Sequence, residues 1–212
     1  MSPDTTKTLL AEVADYYDGK LALHGENARG VDWNGEAGQA LRFEQLCKVI
    51  DRDRDFSVND LGCGYGALCD FLVPGRESFQ YTGFDVSDAM IRAARRRNAD
   101  KPYARFVVAS EPDGPSTYGI ASGIFNVRLG RTDAEWRSYV ESTLEVIDRT
   151  SQRGFAFNCL TSYSDRDKMR SDLYYADPCM LFDLCKRRFA RNVALLHDYG
   201  LYEFTVVVRK TV

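Results

Sequence analysis

A run of glycines after an apolar stretch is the part of the sequence best suited to hold a nucleotide-type ligand. Residues 58–66 read VNDLGCGYG, which places glycine at positions 62, 64 and 66. Glycine has no Cβ, so it permits a tight turn and lets a ligand touch the backbone. The free N–H groups at the start of the helix that follows suit a carboxylate or another anionic group. Asp85 ends the next β-rich run, where it can accept hydrogen bonds from a ribose diol, so the spacing predicts nucleotide-type binding.

The glycine spacing separates the classes of nucleotide ligand. GxGxG at 62–66 differs from the GxGxxG of dinucleotide-binding proteins, which leaves an NAD-dependent oxidoreductase as the alternative. A Walker A phosphate loop is excluded because no GK followed by Ser or Thr comes after these glycines. The alternative that Asp60 and the glycines form only a structural turn stays open at this point.

Two histidines, His24 and His197, are the candidates for a general base, because an imidazole ionises near neutral pH. His24 lies in the Gly- and Asn-rich stretch 20–38, which is too irregular for a helix and too long for a simple turn. We therefore predict a functional loop there, with His24 as the candidate catalytic residue. The alternative is that His24 is an ordinary turn or surface residue.

Aromatic side chains in and before that stretch predict a lid. Trp33 belongs to the loop itself, and Tyr16 and Tyr17 belong to the helical segment that precedes it. A lid of aromatic and polar groups would cover the ligand and exclude water from it. Tyr16, Tyr17 and Trp33 are therefore candidate substrate contacts, with packing in the core as the alternative for each.

The elements that position these residues alternate between short β-rich runs and helical periodicity, which is typical of an α/β fold with a parallel sheet. The predicted strands are 57–62, 80–85, 104–109, 119–127 and 154–160. The predicted helices begin at Ala67, at Asp88, at Thr132 or Asp133, and after Asp177, where Pro178 suits the first helical position. The tail, 192–210, has two β-rich runs around Asp-Tyr-Gly and predicts a hairpin with an antiparallel strand.

Two helices are predicted before the first strand, because apolar residues recur there at helical spacing. The two apolar stripes are Leu9, Leu10, Val13, Tyr16 and Tyr17, and then Ala37, Ala40, Phe43, Cys47 and Ile50.

The stretches DLGCGYG at 60–66 and GFDVSDAM at 83–90 resemble the first two motifs of class I S-adenosylmethionine-dependent methyltransferases. The resemblance extends from about residue 57 to the terminal hairpin. It implies a Rossmann-like, mostly parallel sheet of seven strands with an antiparallel C-terminal strand and helices on both faces. It also implies S-adenosylmethionine as the cofactor, with S-adenosylhomocysteine as its product.

The resemblance further implies which residues meet the methionine portion of that cofactor. Gly62, Cys63 and Gly64 would lie against it, with Asp60 beneath them on the strand. Asn126, after the fourth strand, occupies a position that often contacts the same end in this family.

The same resemblance places the nucleoside portion. Asp85 would accept hydrogen bonds from the ribose hydroxyls, and Val86 and Met90 would flank the adenine. The Ala109-Ser110 turn would meet the edge of the adenine, although it departs from the Asp-containing turn of many members. Met90 also belongs to an apolar helix stripe, so core packing is its alternative role.

Further substrate and cofactor contacts are predicted outside these motifs. The guanidinium of Arg42, on the second helix, suits the cofactor carboxylate, with a solvated helix position as the alternative. Residues 161–176 are polar and aromatic and lie where related methyltransferases place segments that face the substrate. Tyr163, Tyr174 and Tyr175 are the candidates there. The segment is short, which favours a small acceptor over a folded macromolecule.

Length and composition predict one domain of 212 residues, with an N-terminal helical cap at 1–56 and a Rossmann-like core at 57–212. No apolar run approaches a membrane span and no signal segment is visible, so cytoplasmic residence is the default expectation. The six cysteines form no CxxC pair and are interpreted as reduced core residues, with no metal site. The cysteines are Cys47, Cys63, Cys69, Cys159, Cys179 and Cys185.

We therefore expect a methyltransferase that acts on an oxygen or nitrogen atom of a small molecule. The net charge of -3 gives no electrostatic reason to expect a phosphate backbone as partner. An RNA or protein acceptor is the alternative, and the basic cluster at 92–97 is the one feature that favours it. A non-catalytic protein that binds S-adenosylmethionine also stays open, because the sequence assures no base.

Overall fold

A mixed β-sheet runs through the centre of the computed structural model, which describes residues 3–51, 55–72 and 78–211. The order of its strands is β3-β2-β1-β4-β5-β8-β7, with a short β6 paired to β5 off this path. β8 is antiparallel to both of its neighbours, and the other pairs are parallel. The strands are β1 (Asp55–Leu61), β2 (Ser78–Asp85), β3 (Ala104–Val108), β4 (Ser116–Ala121), β5 (Ser151–Thr161), β6 (Tyr175–Ala176), β7 (Asn192–Leu196) and β8 (Glu203–Arg209).

Helices cover both faces of this sheet. Phe43, Leu68 and Ile91, from the second, third and fourth helices, are buried in one core cluster, and Leu9 and Trp136 belong to the cluster on the other face. The helices are α1 (Pro3–His24), α2 (Glu36–Leu46), α3 (Ala67–Leu72), α4 (Asp88–Arg97), α5 (Asp133–Arg149) and α6 (Pro178–Arg188). The fold class predicted from the sequence, a Rossmann-like, mostly parallel sheet with an antiparallel C-terminal strand, is confirmed.

The order of the strands reverses at β1, because β2 lies on one side of it and β4 on the other. At such a switch point the connections leave toward opposite faces, which opens a crevice beyond the carboxyl ends of the two strands. The glycine turn after β1 and the Ser122-Gly123 turn after β4 therefore face each other at the same edge of the sheet.

Side-chain caps start three of the helices where the sequence predicts them. Ser87 accepts a hydrogen bond from the Met90 N–H at the start of α4. Thr132 and Glu135 form a reciprocal capping box on α5. Asp177 accepts hydrogen bonds from two backbone N–H groups of α6, which has proline at its first turn.

Two local predictions are wrong. Residues 20–24 belong to α1, so the loop is shorter than predicted and includes a 3-10 helix at Ala28–Val31. The strand predicted at 119–127 ends at Ala121, and Gly123 turns with a φ of 76°. Glycine- and asparagine-rich composition ended the predicted first helix too early, and apolar composition ended the predicted strand too late. The ends of helices and strands are difficult to predict from local composition, because contacts with neighbouring elements also determine them.

The buried face of α2 also differs from the predicted stripe. Ala37 and Ala40 are exposed, whereas Gln39, Arg42 and Gln45 are buried. Buried polar side chains are tolerated where they have hydrogen-bond partners, and Gln39 accepts one from the Tyr65 hydroxyl at 2.9 Å. Composition alone does not reveal these partners, because they lie on other elements.

The remaining global predictions can be compared with the described residues. Five of the cysteines are buried, but Cys179 is exposed at the start of α6, so it is not a core residue. None of the described helices combines the length and the apolarity of a membrane span. The described part of the chain also brings together no group of three or more His, Cys, Asp and Glu side chains suited to a metal ion. The division into a cap at 1–56 and a core at 57–212 stays a prediction.

Gly66 connects the glycine turn to α3 and provides a test of this geometry. Its φ is 81°, and an added Cβ would lie 2.7 Å from Nδ2 of Asn98 and 3.0 Å from Cε1 of Phe106. We expect Gly66→Ala to lower the free energy of unfolding by about 2 kcal/mol, through left-handed strain and crowding. In thermal unfolding this corresponds to a melting temperature lower by about 4–8 °C. Gly114→Ala is the matched control, because nothing lies within 4 Å of its added Cβ. Equal melting temperatures for the two variants would contradict the prediction.

Candidate active site

A cleft of about 730 Å³ lies beyond the carboxyl ends of β1, β2 and β4. Its floor includes Gly62, Gly64 and Asp85, and Tyr17 of α1 contributes to its lining from above. Small-molecule and cofactor sites are typically concave and mostly apolar, with a few polar groups that fix the ligand's orientation. The crevice at the switch point has this character, because apolar side chains surround Asp85 and the glycine backbone.

Gly62 allows the chain to turn sharply at the bottom of this cleft. Its φ is 75°, and its N–H donates to the Phe84 carbonyl oxygen at 2.8 Å. A Cβ at this position would lie 2.0 Å from Cγ2 of Ile124. A larger residue would therefore both strain the backbone and push Ile124 out of the wall of the cleft.

Asp85 joins the ends of β1 and β2 at the floor of the cleft. Its Oδ2 accepts from the Gly64 N–H and its Oδ1 accepts from the Ser87 N–H, each at 2.9 Å. Burial raises the pKa of this carboxyl, and the backbone donors partly oppose that rise. Each oxygen of a carboxylate has two lone pairs, so both keep capacity for a ligand hydroxyl.

A smaller recess of about 320 Å³ lies beside the glycine turn. Asp60 and Ser122 both line it, and Oδ1 of Asp60 and Oγ of Ser122 are buried with no hydrogen-bond partner in the described structure. The other carboxylate oxygen of Asp60 accepts from the Tyr81 hydroxyl, and burial raises the pKa of Asp60 to about 7. Unsatisfied buried oxygens are costly, so this recess suits a ligand that brings hydrogen-bond donors, such as an ammonium group.

The opposite end of the cleft is mostly apolar. Val86, Met90 and Ala109 line it together with Ser110, which is itself exposed. Met90 also packs against Tyr65 in a small buried cluster, so its core role and its place in the cleft coexist. An apolar slot beside a carboxylate fits a flat base attached to a ribose.

A second cleft, of about 1330 Å³, adjoins the first. Tyr17, Val31 and Trp33 line both clefts and therefore form the boundary between them. The second cleft is more polar, with Asp32, Arg170 and other charged side chains in its wall. Two adjoining clefts of different polarity provide places for two different ligands.

Trp33 is fixed on two sides. The guanidinium carbon of Arg42 lies 3.9 Å from the centre of one of its rings, a cation–π contact. An added Cβ on Gly123 would lie 2.4 Å from Cζ2 of the same indole. Because Gly123 allows this close approach, the indole can lie directly against the turn after β4.

Arg42 lies elsewhere than predicted. Its Nε donates to both carboxylate oxygens of Glu203 at 2.9 and 2.8 Å, and its Nη2 donates to one of them at 2.5 Å. It borders the second cleft and is not part of the lining of the first. The reason is that β8 places a buried carboxylate against α2. A contact between two elements so far apart in the sequence cannot be predicted from local patterns.

Hydrogen bonds and ion pairs of Asp32 hold the N-terminal segment over the clefts. Its carboxylate accepts from Tyr16 and Lys20, both at 2.7 Å, and from Nη1 of Arg170 at 3.1 Å. These three donors lower the pKa of Asp32, while burial opposes them. Tyr16 thus belongs to this group of polar contacts around Asp32, and it lines neither cleft.

Other predicted site residues lie outside both the first cleft and the recess at Asp60. His24 ends α1 and belongs to the lining of neither cleft, and Tyr163 is exposed with its ring against His197. Asn126 is buried, where its Oδ1 accepts from the Leu160 N–H at 3.1 Å, and it borders the second cleft.

Of the two tyrosines predicted near β6, Tyr175 borders the second cleft, whereas Tyr174 is buried in the core. His24 lines neither cleft, and its role as a base stays a prediction.

Comparison with known proteins identifies the family. A family described as a methyltransferase domain matches residues 58–148. Rv1506c of Mycobacterium tuberculosis (strain ATCC 25618 / H37Rv), a protein named as a methyltransferase, is 57% identical over 163 residues, which is 77% of this chain and 98% of that protein. The chain belongs to the class I S-adenosylmethionine-dependent methyltransferases.

Solved structures share the fold. N-methyltransferase NodS from Bradyrhizobium japonicum WM9, solved with S-adenosyl-L-homocysteine, superposes with a TM-score of 0.66 at 12% identity, over 94% of this chain and 98% of that one. DhpI, solved as a complex with SAH, gives a TM-score of 0.64 at 15% identity, over 95% and 97%. At these identities the similarity concerns the fold alone.

The residues of this methyltransferase fit its cofactor, S-adenosylmethionine. The partnerless oxygens of Asp60 and Ser122 suit the amino group of a methionine portion, and Asp85 suits a ribose diol. Of the fitting residues, Ser122 and Gly123 escaped prediction, because 119–127 was interpreted as one strand. The Ser-Gly pair inside that run was the available signal, since serine and glycine are typical of turns.

Asp85→Asn tests the carboxylate of this methyltransferase. The amide keeps one acceptor oxygen but loses the charge, so we expect the dissociation constant for S-adenosylhomocysteine in calorimetry to rise about 10-fold to 100-fold. Asp88→Asn is the matched control, because Asp88 is exposed three residues later and pairs only with Arg92 along α4. A control that weakens binding as strongly as Asp85→Asn would show that the effect is not specific to the cleft.

The raised pKa of Asp60 predicts that cofactor binding depends on pH. A cationic amino group nearby favours the carboxylate, so binding releases the proton that Asp60 holds below its pKa of about 7. We expect affinity for S-adenosylhomocysteine to rise about tenfold as the pH rises from about 6 to about 8. Asp60→Asn should remove this dependence in calorimetry.

The free energy of unfolding should depend on pH in the opposite direction to the affinity, because of the same Asp60 carboxyl. The folded-state pKa of Asp60 lies above the ordinary value of 3.8, so its contribution to stability is lost as the pH rises from about 4 through about 7. An affinity that stays constant with pH in the unsubstituted enzyme would contradict the role of Asp60.

Proposed function

We propose that this methyltransferase transfers the methyl group of S-adenosylmethionine to an oxygen or nitrogen atom of a small molecule. The observation that carries the proposal is the second cleft, which adjoins the first across Tyr17, Val31 and Trp33. A methyl donor in the first cleft and an acceptor in the second would meet at these three side chains. Holding both reactants in one geometry supplies much of the rate enhancement in such a displacement.

In this proposal the first cleft holds the cofactor. Asp85 accepts hydrogen bonds from the ribose hydroxyls, and Gly62, Cys63 and Gly64 lie against the methionine portion. Asp60 binds the amino group from beneath, together with Ser122. The cofactor supplies the reactive methyl group, and the protein supplies binding and orientation.

The adenine has its own proposed contacts. Val86, Met90 and Ala109 enclose the base, and Ser110 meets its edge. These assignments rest on the apolar lining of this part of the cleft and on the fact that none of these four residues lines the recess at Asp60.

The residues that line the proposed acceptor cleft are better suited to aligning the acceptor than to removing a proton from it. Burial raises the pKa of the Tyr17 hydroxyl, so it remains protonated and donates a hydrogen bond. Asp32 is a weak base because its three donors lower its pKa. No histidine is part of the described lining of either cleft. We therefore propose that Tyr17 and Trp33 position the acceptor and that no side-chain base is required. The S–CH3 bond of the cofactor breaks as the new bond to the acceptor forms, and the proton that the acceptor loses passes to solvent.

A small acceptor is favoured over RNA. The basic cluster that hinted at RNA makes contacts within this chain: three of its arginines form ion pairs, and Arg95 donates to the Phe106 carbonyl oxygen. The ion pairs are Arg92 with Asp88, Arg96 with Glu26, and Arg97 with Asp70. Phosphate binding would compete with these pairs, so the cluster is a poor site for a phosphate backbone.

Transfer of label tests the proposal. The purified enzyme is incubated with S-adenosylmethionine that carries a radioactive methyl group, together with three separate fractions of a cell extract: small metabolites, RNA and protein. We expect label in the small-metabolite fraction only. Label in RNA or protein would support the macromolecular alternative, and no label in any fraction despite tight S-adenosylhomocysteine binding would support a non-catalytic role.

Asp85→Asn serves as the control in this experiment. Because it weakens cofactor binding, it should reduce label in every fraction about equally. Label that persists at the original level with this variant would indicate a contaminating enzyme.

A further inference from the structure

Arg42 and Glu203 are the most deeply buried charged residues that line the second cleft, and the hydrogen-bonding capacity of Arg42 is only partly used. Arg42 exposes 8% of its surface, and Glu203 exposes 2%. The Nε and Nη2 atoms of Arg42 both donate to Glu203, whereas its Nη1 donates to no described residue. A guanidinium has five N–H donors, so this buried side chain keeps donors that a ligand can use.

Glu203 holds the guanidinium from behind. Its Oε2 also accepts from Nδ2 of Asn158 at 2.6 Å, and Oδ1 of Asn158 accepts from the Gly123 N–H at 2.7 Å. This chain of bonds connects the Arg42–Glu203 pair to the turn after β4, which lines the first cleft and lies against Trp33. Because Arg42 also stacks on Trp33, its orientation is set on two sides.

The charges in the wall of the second cleft compensate one another. Each of its five charged lining residues has an oppositely charged partner, either in the lining or beside it. The cluster holds four basic and four acidic side chains: Arg42 with Glu203, Lys20 with Asp32, Arg170 with Asp32 and Asp172, and Lys168 with Asp167. An ionised ligand would find no unpaired counter-charge here and would lose its hydration on entry.

We propose that the acceptor is uncharged where it meets this wall, and that Arg42 is a specificity-determining residue that donates from Nη1 to a neutral oxygen of the acceptor. The inference rests on the proposed function, because it concerns the cleft assigned to the acceptor. Glu203 acts through Arg42 as a positioning residue: it orients the guanidinium and cancels its charge. A carboxylate acceptor would approach the Glu203 carboxylate and be repelled.

Two probes of equal shape separate charge from size. Benzamide and benzoate are both flat and can lie against Trp33, but only benzoate is charged. The chain has two tryptophans, so its indole N–H signals in NMR are few. Trp33 lines the cleft, whereas Trp136 is buried in the core, where its Nε1 donates to the Phe125 carbonyl oxygen, so Trp136 is an internal control. Trp33→Phe assigns the two signals.

Titration of the protein saturated with S-adenosylhomocysteine should give a clear order. We expect benzamide to shift the Trp33 signal and to bind about tenfold more tightly than benzoate. The Trp136 signal should stay in place. Benzoate that binds as tightly as benzamide would overturn the proposal, and so would benzamide that leaves the Trp33 signal unchanged.

Two variants extend the test. Glu203→Gln keeps the shape of the side chain but leaves Arg42 uncompensated, so the preference should reverse in favour of benzoate. Arg42→Lys keeps the positive charge but loses the planar fork, so benzamide binding should weaken about tenfold while the discrimination against benzoate persists. An unchanged preference in folded Glu203→Gln would contradict the role of Glu203. If that variant does not fold, the benzamide and benzoate titration of the unsubstituted protein decides by itself.

Calorimetry with S-adenosylhomocysteine separates this inference from the proposed function. If the cofactor product binds and the charge preference is absent, only the specificity of the second cleft is wrong. If the cofactor product does not bind, the proposed function fails first.

Discussion

The carboxylate of Asp85 connects the backbone turns that follow β1 and β2. It accepts from the Gly64 N–H and from the Ser87 N–H, and both donors belong to turns that end a strand of a parallel sheet. The order of the strands reverses at β1, so no neighbouring strand fills the space above this contact. A strand order, a pair of turns and one acid are together sufficient to make the floor of the cleft. The N-terminal segment adds to the lining above it, with Leu10, Tyr17 and Trp33 among its residues.

That segment has a different kind of stability from the sheet. Leu9 is buried in the core, but the part of the segment over the clefts is held by polar contacts around Asp32 and by the stacking of Trp33 on Arg42. Partly exposed ion pairs contribute little stability each, and they break and form more readily than packed apolar contacts. The floor of the site is therefore held by the hydrogen bonds of the sheet. The segment that covers it is held by polar contacts, which a ligand's own polar groups can replace.

Much of the floor could be predicted from the sequence, because its signals are local. The glycines at 62–66 and the acid at 85 are each recognised from residues only a few positions apart, and the same holds for the helix starts at Thr132 and Asp177 outside the floor. The second cleft could not be predicted in this way. It depends on pairs such as Arg42 with Glu203, which lie 161 positions apart, and on Asn158, which connects them to Gly123. The sequence analysis placed Arg42 either at the cofactor or in solvent, because the sequence of α2 does not show which strand lies beside it.

The distance along the chain between Arg42 and Glu203 has a consequence for synthesis on the ribosome. The arginine emerges early, but its carboxylate arrives with the last strand, and that strand must insert between β5 and β7. A single domain generally folds as a unit, so the guanidinium has no partner until β8 has been synthesised. The wall of the second cleft that includes this pair therefore exists only once the sheet has closed around β8, whereas the glycine turn and Asp85 belong to strands made earlier.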